Sequence, residues 1–184
     1  MNFRDASNND VFYRVDADLP VVTPGTKSLY YAQTANNTMW VPIVEKAFAE
    51  FRRGANTYQS IWNGRPTEGF SALGLNQTGT LNGSSSTQTL LNIKAALDGG
   101  RIVTVDTPNS AAPSGVAAVQ NHTYAVVSVS TVSIFGAQIP ISITLRNPWG
   151  FDRPNSNRDN TDGLVTFTAQ QFGSYFTTAN SAWA

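Results

Sequence analysis

The sequence has 184 residues, 41% hydrophobic and only 13% charged, with 12 basic and 12 acidic side chains that cancel to zero net charge. That is enough chain for one domain with a proper core. The absence of a basic stripe argues against nucleic acid as a main partner, and the absence of a polybasic or long apolar run argues against a membrane.

The chain contains no cysteine, which excludes disulfides and thiolate metal sites. Its start, MNFRDASNNDVFYRV, has neither the basic nor the apolar region of a signal peptide. The compartment, cytoplasmic or secreted, stays open.

In chain order, short strands are expected around Phe12–Val15 and Ser28–Ala32, in a segment rich in Pro and Asn. In NNTMWVPIVEKAFAEFRRG, Trp40, Val44, Ala47, Phe48 and Phe51 fall at helical spacing and form one apolar stripe. Asn37 or Thr38 can cap that helix, Pro42 suits its first turn and Gly54 ends it. NTYQSIWNG reads as one or two further helical turns, and Glu68 in PTEGF as a helix-start residue or the partner of a nearby arginine.

LNGSSST is a loop, and Ser86 is placed to cap a second helix, TQTLLNIKAALDGG, stopped by Gly99-Gly100. RIVTVDT, HTYAVVSVSTV and QIPISITLR follow as strands, rich in β-branched residues, and the last alternates at Ile139, Ile141, Ile143 and Leu145. FDRPNSNRDNTDG is a polar loop, LVTFT a short strand and AQQFGSYF a short helix. Helices first and antiparallel strands after them give an α+β class, a central antiparallel sheet or barrel-like half flanked by helices, as a single domain over 1–184.

The chemistry rests on the only histidine, His122, and on Asn147 in LRNPWG. If the strand after His122 and the strand before Asn147 form one hairpin, placing the two residues opposite each other centres the turn between residues 134 and 135. SIFGAQ lies there, with Gly136 as a turn residue. A carboxamide oxygen accepting a proton from one ring nitrogen fixes the imidazole and aims the other nitrogen at a nucleophile. With a thiol as nucleophile, Asn orients the ring without adding a negative charge, and Trp149 can shield the pair from water. Taken alone, a histidine beginning a strand is usually structural, and an asparagine before proline is usually a turn residue. Trp40 and Trp62 read as packing residues, with Trp40 assigned to the core by its place on the helix stripe.

TMWVPIVEKAFAEF, PTEGFSALG, NHTYAVVSV, ITLRNPWG and DGLVTFTAQQFGSYF occur in an order that resembles the calpain family of cysteine peptidases, from about Tyr13 to the end of the chain. The resemblance is to the second half of the calpain catalytic unit, the subdomain that carries the histidine and asparagine. It implies that His122 is the general base, Asn147 its orienting residue and Trp149 the covering indole. It further implies that the nucleophilic cysteine belongs to a preceding half absent from this sequence.

On this resemblance the chain is a fragment of a calpain-like cysteine endopeptidase, a hydrolase of peptide bonds, inactive alone. The alternative is a calpain-like protein-binding module without catalysis. The implied partners are the missing cysteine-bearing half, a peptide or protein substrate, and a second copy meeting an exposed cleft face at which His122, Asn147 and Trp149 stand open.

Two features depart from or extend that pattern. The residue before the histidine is often Gly in the family and is Asn121 here, a side chain expected to crowd the substrate backbone. No cofactor is required by the sequence and no metal ligand is assigned. Calcium, bound in this half of animal calpains, would fall to Asp152, Asp159 and Asp162, whose spacing does not match an EF-hand loop.

Overall fold

A computed structural model describes residues 1–21, 24, 32, 38–55, 57–151 and 162–183. The chain divides into two compact units, Met1–Asn76 and Gln77–Ala184.

The first unit opens with an antiparallel hairpin of β1 (Asn2–Arg4) and β2 (Asp10–Phe12), in which Phe3 faces Val11. The Asp5 carboxylate closes its turn by accepting from the backbone N–H groups of Ser7 and Asn9, at 2.9 and 2.8 Å. This strand lies just upstream of the expected Phe12–Val15 segment. The strand expected at 28–32 and the Asn37 cap fall outside the described residues, except for Ala32.

Helix α1 (Trp40–Arg53) ends at Gly54, whose φ of 63° is the left-handed conformation that glycine adopts without strain. A 3₁₀ turn (Tyr58–Ile61) and α2 (Pro66–Ala72) follow. The α1 stripe packs through Val44, Ala47, Phe48 and Phe51 onto Phe3, Tyr13 and Ala72. Trp40 is not part of that core and is 64% exposed. It is the first residue of the helix, one turn before the stripe meets its partners at Val44.

Two cations brace the helix. Lys46 is buried because its ammonium meets the Asp16 carboxylate and the Asp18 carbonyl. Arg52 pairs with Glu68 at 2.7 Å, the arginine partner expected for that residue, and also donates to the Ser60 carbonyl at 2.8 Å.

The second unit is a six-stranded sheet with two helices. Its elements are β3 (Gln77–Thr80), α3 (Ser86–Asp98), β4 (Ile102–Asp106), β5 (Thr123–Ile134), β6 (Ala137–Arg146), β7 (Leu164–Thr168), α4 (Ala169–Tyr175) and β8 (Thr178–Trp183). The strand order is β3-β8-β4-β5-β6-β7 and every pairing is antiparallel. The class is α+β. The sheet is open, with β3 and β7 as separate edges, so it does not close into a barrel.

Ser85, one residue before the expected cap, holds the start of α3 by accepting from the Gln88 N–H. Thr168 and Gln171 cap α4 reciprocally. The core joins Leu90 and Ile93 of α3 and Phe172 of α4 to Val103, Val105, Tyr124, Ile143, Leu145 and Phe167 of the sheet. Each such side chain stabilises the fold by roughly 1.5–3 kcal/mol through removal from water.

The β5–β6 hairpin departs from the simple register. Its turn is Phe135-Gly136, with φ of 49° and 82°, and the tip pairs Ile134 with Ala137, about one residue later than expected. Two bulges interrupt the ladder, one with Val127 as the extra residue on β5 and one with Ile141 as the extra residue on β6. Each bulge reverses which side chains face inward. Ile143 and Leu145 are therefore fully buried, whereas Ile139 and Ile141 are 40% and 48% exposed and Pro140 points inward. The unbroken alternation expected along β6 does not survive this insertion.

Candidate active site

Asn147 stands where β6 stops. Its N–H donates to the Gly163 carbonyl at 2.8 Å, a last link beside β7, and Pro148 then ends the ladder. The chain turns there: the Gly150 N–H reaches the Asn147 carbonyl at 3.1 Å and the Trp149 N–H donates to Asn147 Oδ1 at 3.1 Å. Asn147 Nδ2 donates to the Phe151 carbonyl at 2.9 Å. These partners fix which end of the carboxamide is oxygen, because Nδ2 must face a carbonyl and Oδ1 must face an N–H. Asn147 is thus a turn residue whose carboxamide also faces the imidazole.

His122 Nε2 lies 2.9 Å from that same Oδ1. An amide oxygen only accepts, so Nε2 carries the hydrogen and Nδ1 keeps its lone pair. The imidazole sits edge-on to Tyr124, with centroids 5.0 Å apart, and against the Trp149 indole at 4.4 Å and 46°. Burial pushes the His122 pKa down from its ordinary 6.5, and the hydrogen bond to Asn147 opposes that shift. The ring is therefore neutral at pH 7 and able to take a proton.

The contact does not come from the register first supposed. Continued past the last ladder pair, Ala125 with Arg146, the strands would set His122 opposite Trp149. The pair forms because both residues lie just outside their strands, and the Asn-Pro turn swings the carboxamide back to the ring. Asn121 before the histidine has φ +48° and an exposed side chain. This is the conformation glycine supplies and asparagine tolerates, so the departure from Gly keeps the backbone geometry that presents His122.

The site is less open than expected. Asn147 is fully buried, while His122 and Trp149 are half-buried. The Trp149 and Phe151 rings lie 5.9 Å apart, on the two residues whose backbone groups bond the carboxamide. Sequence reasoning missed the Phe151 carbonyl, the Tyr124 ring and Thr107, whose hydroxyl reaches the His122 backbone. No local pattern in VDTPNS marks Thr107.

Of the three aspartates considered for calcium, Asp152 and Asp159 lie outside the described residues, and Asp162 accepts from the Leu164 N–H at 2.8 Å. Among the described residues no group of three or more His, Cys, Asp or Glu is placed to hold a metal ion, and no helix is long and apolar enough to cross a membrane.

No curated protein matches the chain. A family model described as calpain family cysteine protease matches residues 3–166, a span that begins upstream of the Tyr13 boundary read from motifs and includes His122, Asn147 and Trp149. With most of its length so matched, the chain belongs to the calpain family of cysteine proteases.

Proposed function

We propose that this chain supplies the general base and its orienting residue to a calpain-type endopeptidase whose thiol comes from polypeptide outside it. The observation that carries this reading is the 2.9 Å contact of His122 Nε2 with Asn147 Oδ1, which leaves the Nδ1 lone pair for a nucleophile. A cysteine brought to Nδ1 loses its proton to the ring, and the thiolate attacks the scissile carbonyl. The imidazolium then protonates the leaving amine, and an acyl-thioester remains. In the second half of the cycle, Nδ1 takes a proton from water as the water attacks the thioester.

Asn147 suits this cycle because it holds the ring in both protonation states. A carboxylate there would stabilise the imidazolium and weaken its acidity toward the amine. The Trp149 indole shields the hydrogen bond from solvent and lies close enough to favour the cation when it forms. The sequence has no cysteine, so the purified chain is expected to leave a fluorogenic peptide uncleaved. Turnover that persists through further purification and disappears in His122→Ala would overturn the proposal. A Gly-Asp-Cys-Trp stretch in the coding sequence upstream of residue 1 would support it over the alternative of a non-catalytic binding module.

A further inference from the structure

The position of His122 poses a mechanical problem. The last pair joining β4 to β5 is Asp106 with Thr123, so the histidine lies one residue beyond the ladder. Its ring nevertheless keeps a 2.9 Å hydrogen bond to Asn147 Oδ1 and an indole with its centroid 4.4 Å away. Contacts that close require the backbone of His122 to be held to a fraction of an ångström.

Thr107 meets that requirement. Its N–H donates to the His122 carbonyl at 2.9 Å. Its hydroxyl accepts from the His122 N–H at 2.9 Å, in the place where a continued ladder would offer a carbonyl. The same hydroxyl has one hydrogen, and its shorter acceptor is the Val119 carbonyl at 2.7 Å, with the His122 carbonyl at 3.0 Å. Thr107 is 6% exposed, so water does not substitute readily for these bonds. Two neighbours complete the clasp: the Asn121 N–H donates to the Pro108 carbonyl at 2.8 Å, and the Val119 N–H donates to the Tyr124 hydroxyl at 2.9 Å. The segment that returns the chain to His122 is thereby pinned at both ends by one side chain.

We infer that Thr107 is a positioning residue for His122, its hydroxyl extending the β4–β5 pairing by one residue so that the imidazole keeps its contacts with Asn147 and Trp149. This inference rests on the reading of His122 as the base, and it concerns the hydroxyl rather than the bulk of the side chain. Valine has the same shape without the oxygen, whereas serine keeps the oxygen without the methyl.

The test uses the chain as it is, because its single histidine makes the imidazole resonances unambiguous. In ¹⁵N-edited NMR the wild-type ring proton is expected on Nε2, in slow exchange, with the His122 amide protected. Thr107→Val is expected to lose the ring-proton signal, to raise the His122 titration midpoint toward 6.5 and to speed exchange of the His122 amide at least tenfold. Thr107→Ser is expected to match the wild type. A folded Thr107→Val with an unchanged ring proton and titration would overturn the inference, as would valine and serine variants that behave alike. Should the valine variant not fold, the wild-type amide still decides: exchange at the rate of an unprotected chain would overturn it, and protection retained in Thr107→Ser would support it. A wild-type ring proton found on Nδ1 would instead overturn the His122–Asn147 reading itself, before any variant is made.

Discussion

Replacing Asn147 by alanine removes the group on which the site is built. The lost side chain is fully buried and makes hydrogen bonds to His122 Nε2, the Trp149 N–H and the Phe151 carbonyl. Leaving a buried polar group unpaired costs about 1–3 kcal/mol. His122, Trp149 and Phe151 are only half-buried, so water recovers part of that. The expected net loss is therefore roughly 2–4 kcal/mol rather than three full penalties. For a unit of this size that lowers Tm by roughly 10–20 °C.

Urea unfolding followed through the ring resonance of His122 reads the second unit alone, which matters because the two units need not unfold together. Asn147→Asp separates the acceptor from the rest of the amide. It keeps an oxygen facing Nε2, sets a charge against the Phe151 carbonyl, and should raise the His122 titration midpoint by about 1–3 units through the added negative charge. An alanine variant within about 0.5 kcal/mol of wild type, with the ring proton still in slow exchange, would show that the carboxamide does not hold the ring.

Three further outcomes are expected. The depressed pKa of His122 means that the unfolded chain binds more protons than the folded one between the folded value and 6.5, so stability falls as pH drops through that window and is flat above it. His122→Gln should remove this component and gain stability relative to wild type on acidification below 6.5. Denaturation curves at several pH values would show it, and a difference of opposite sign would refute the assignment.

At the hairpin tip, Phe135 is wholly exposed and held at φ 49° before Gly136. Phe135→Asn creates the Asn-Gly pair this turn favours and should stabilise the unit by about 1 kcal/mol, read as a higher Tm by calorimetry. A lower Tm would mean that the ring makes a contact the turn needs. A Cβ on Gly173 would lie 2.7 Å from Ser86 Cβ and Oγ. Gly173→Ala should therefore cost about 1–3 kcal/mol, with most of it recovered in the double variant carrying Ser86→Gly. Failure of that rescue in chemical denaturation would exclude the steric explanation.

Local pattern alone was enough for α1, α3 and the strands β4 to β7. A stripe at helical spacing or a run of β-branched residues expresses short-range preferences that act wherever the segment lies. It was enough as well for the turn at Asn147 and, through the missing cysteine, for the lack of any thiol; for Glu68 it left a helix start and an arginine partner both open, and the fold supplied Arg52. Tertiary structure decided the rest. β8, TANSAW, has little strand preference of its own, yet it lies between β3 and β4 with Ala179, Ser181 and Ala182 fully buried. Small residues suit that place because it is buried completely in the middle of the sheet.

Trp40 follows the helical stripe but lies outside the core formed by the described residues, since a stripe is buried only as far as another element extends along it. The bulge in β5 and the bulge in β6 each reverse which side chains of their own strand face inward, and only Pro140, beside the second, marks either of them locally. The seating of His122 likewise depends on Thr107, 15 residues upstream, which a ladder between distant strands brings within hydrogen-bond reach. Spacing along the chain can suggest that an imidazole and a carboxamide meet. Whether they do depends on non-local backbone pairing, whose energy is shared among strands far apart in sequence and is not carried by any one of them.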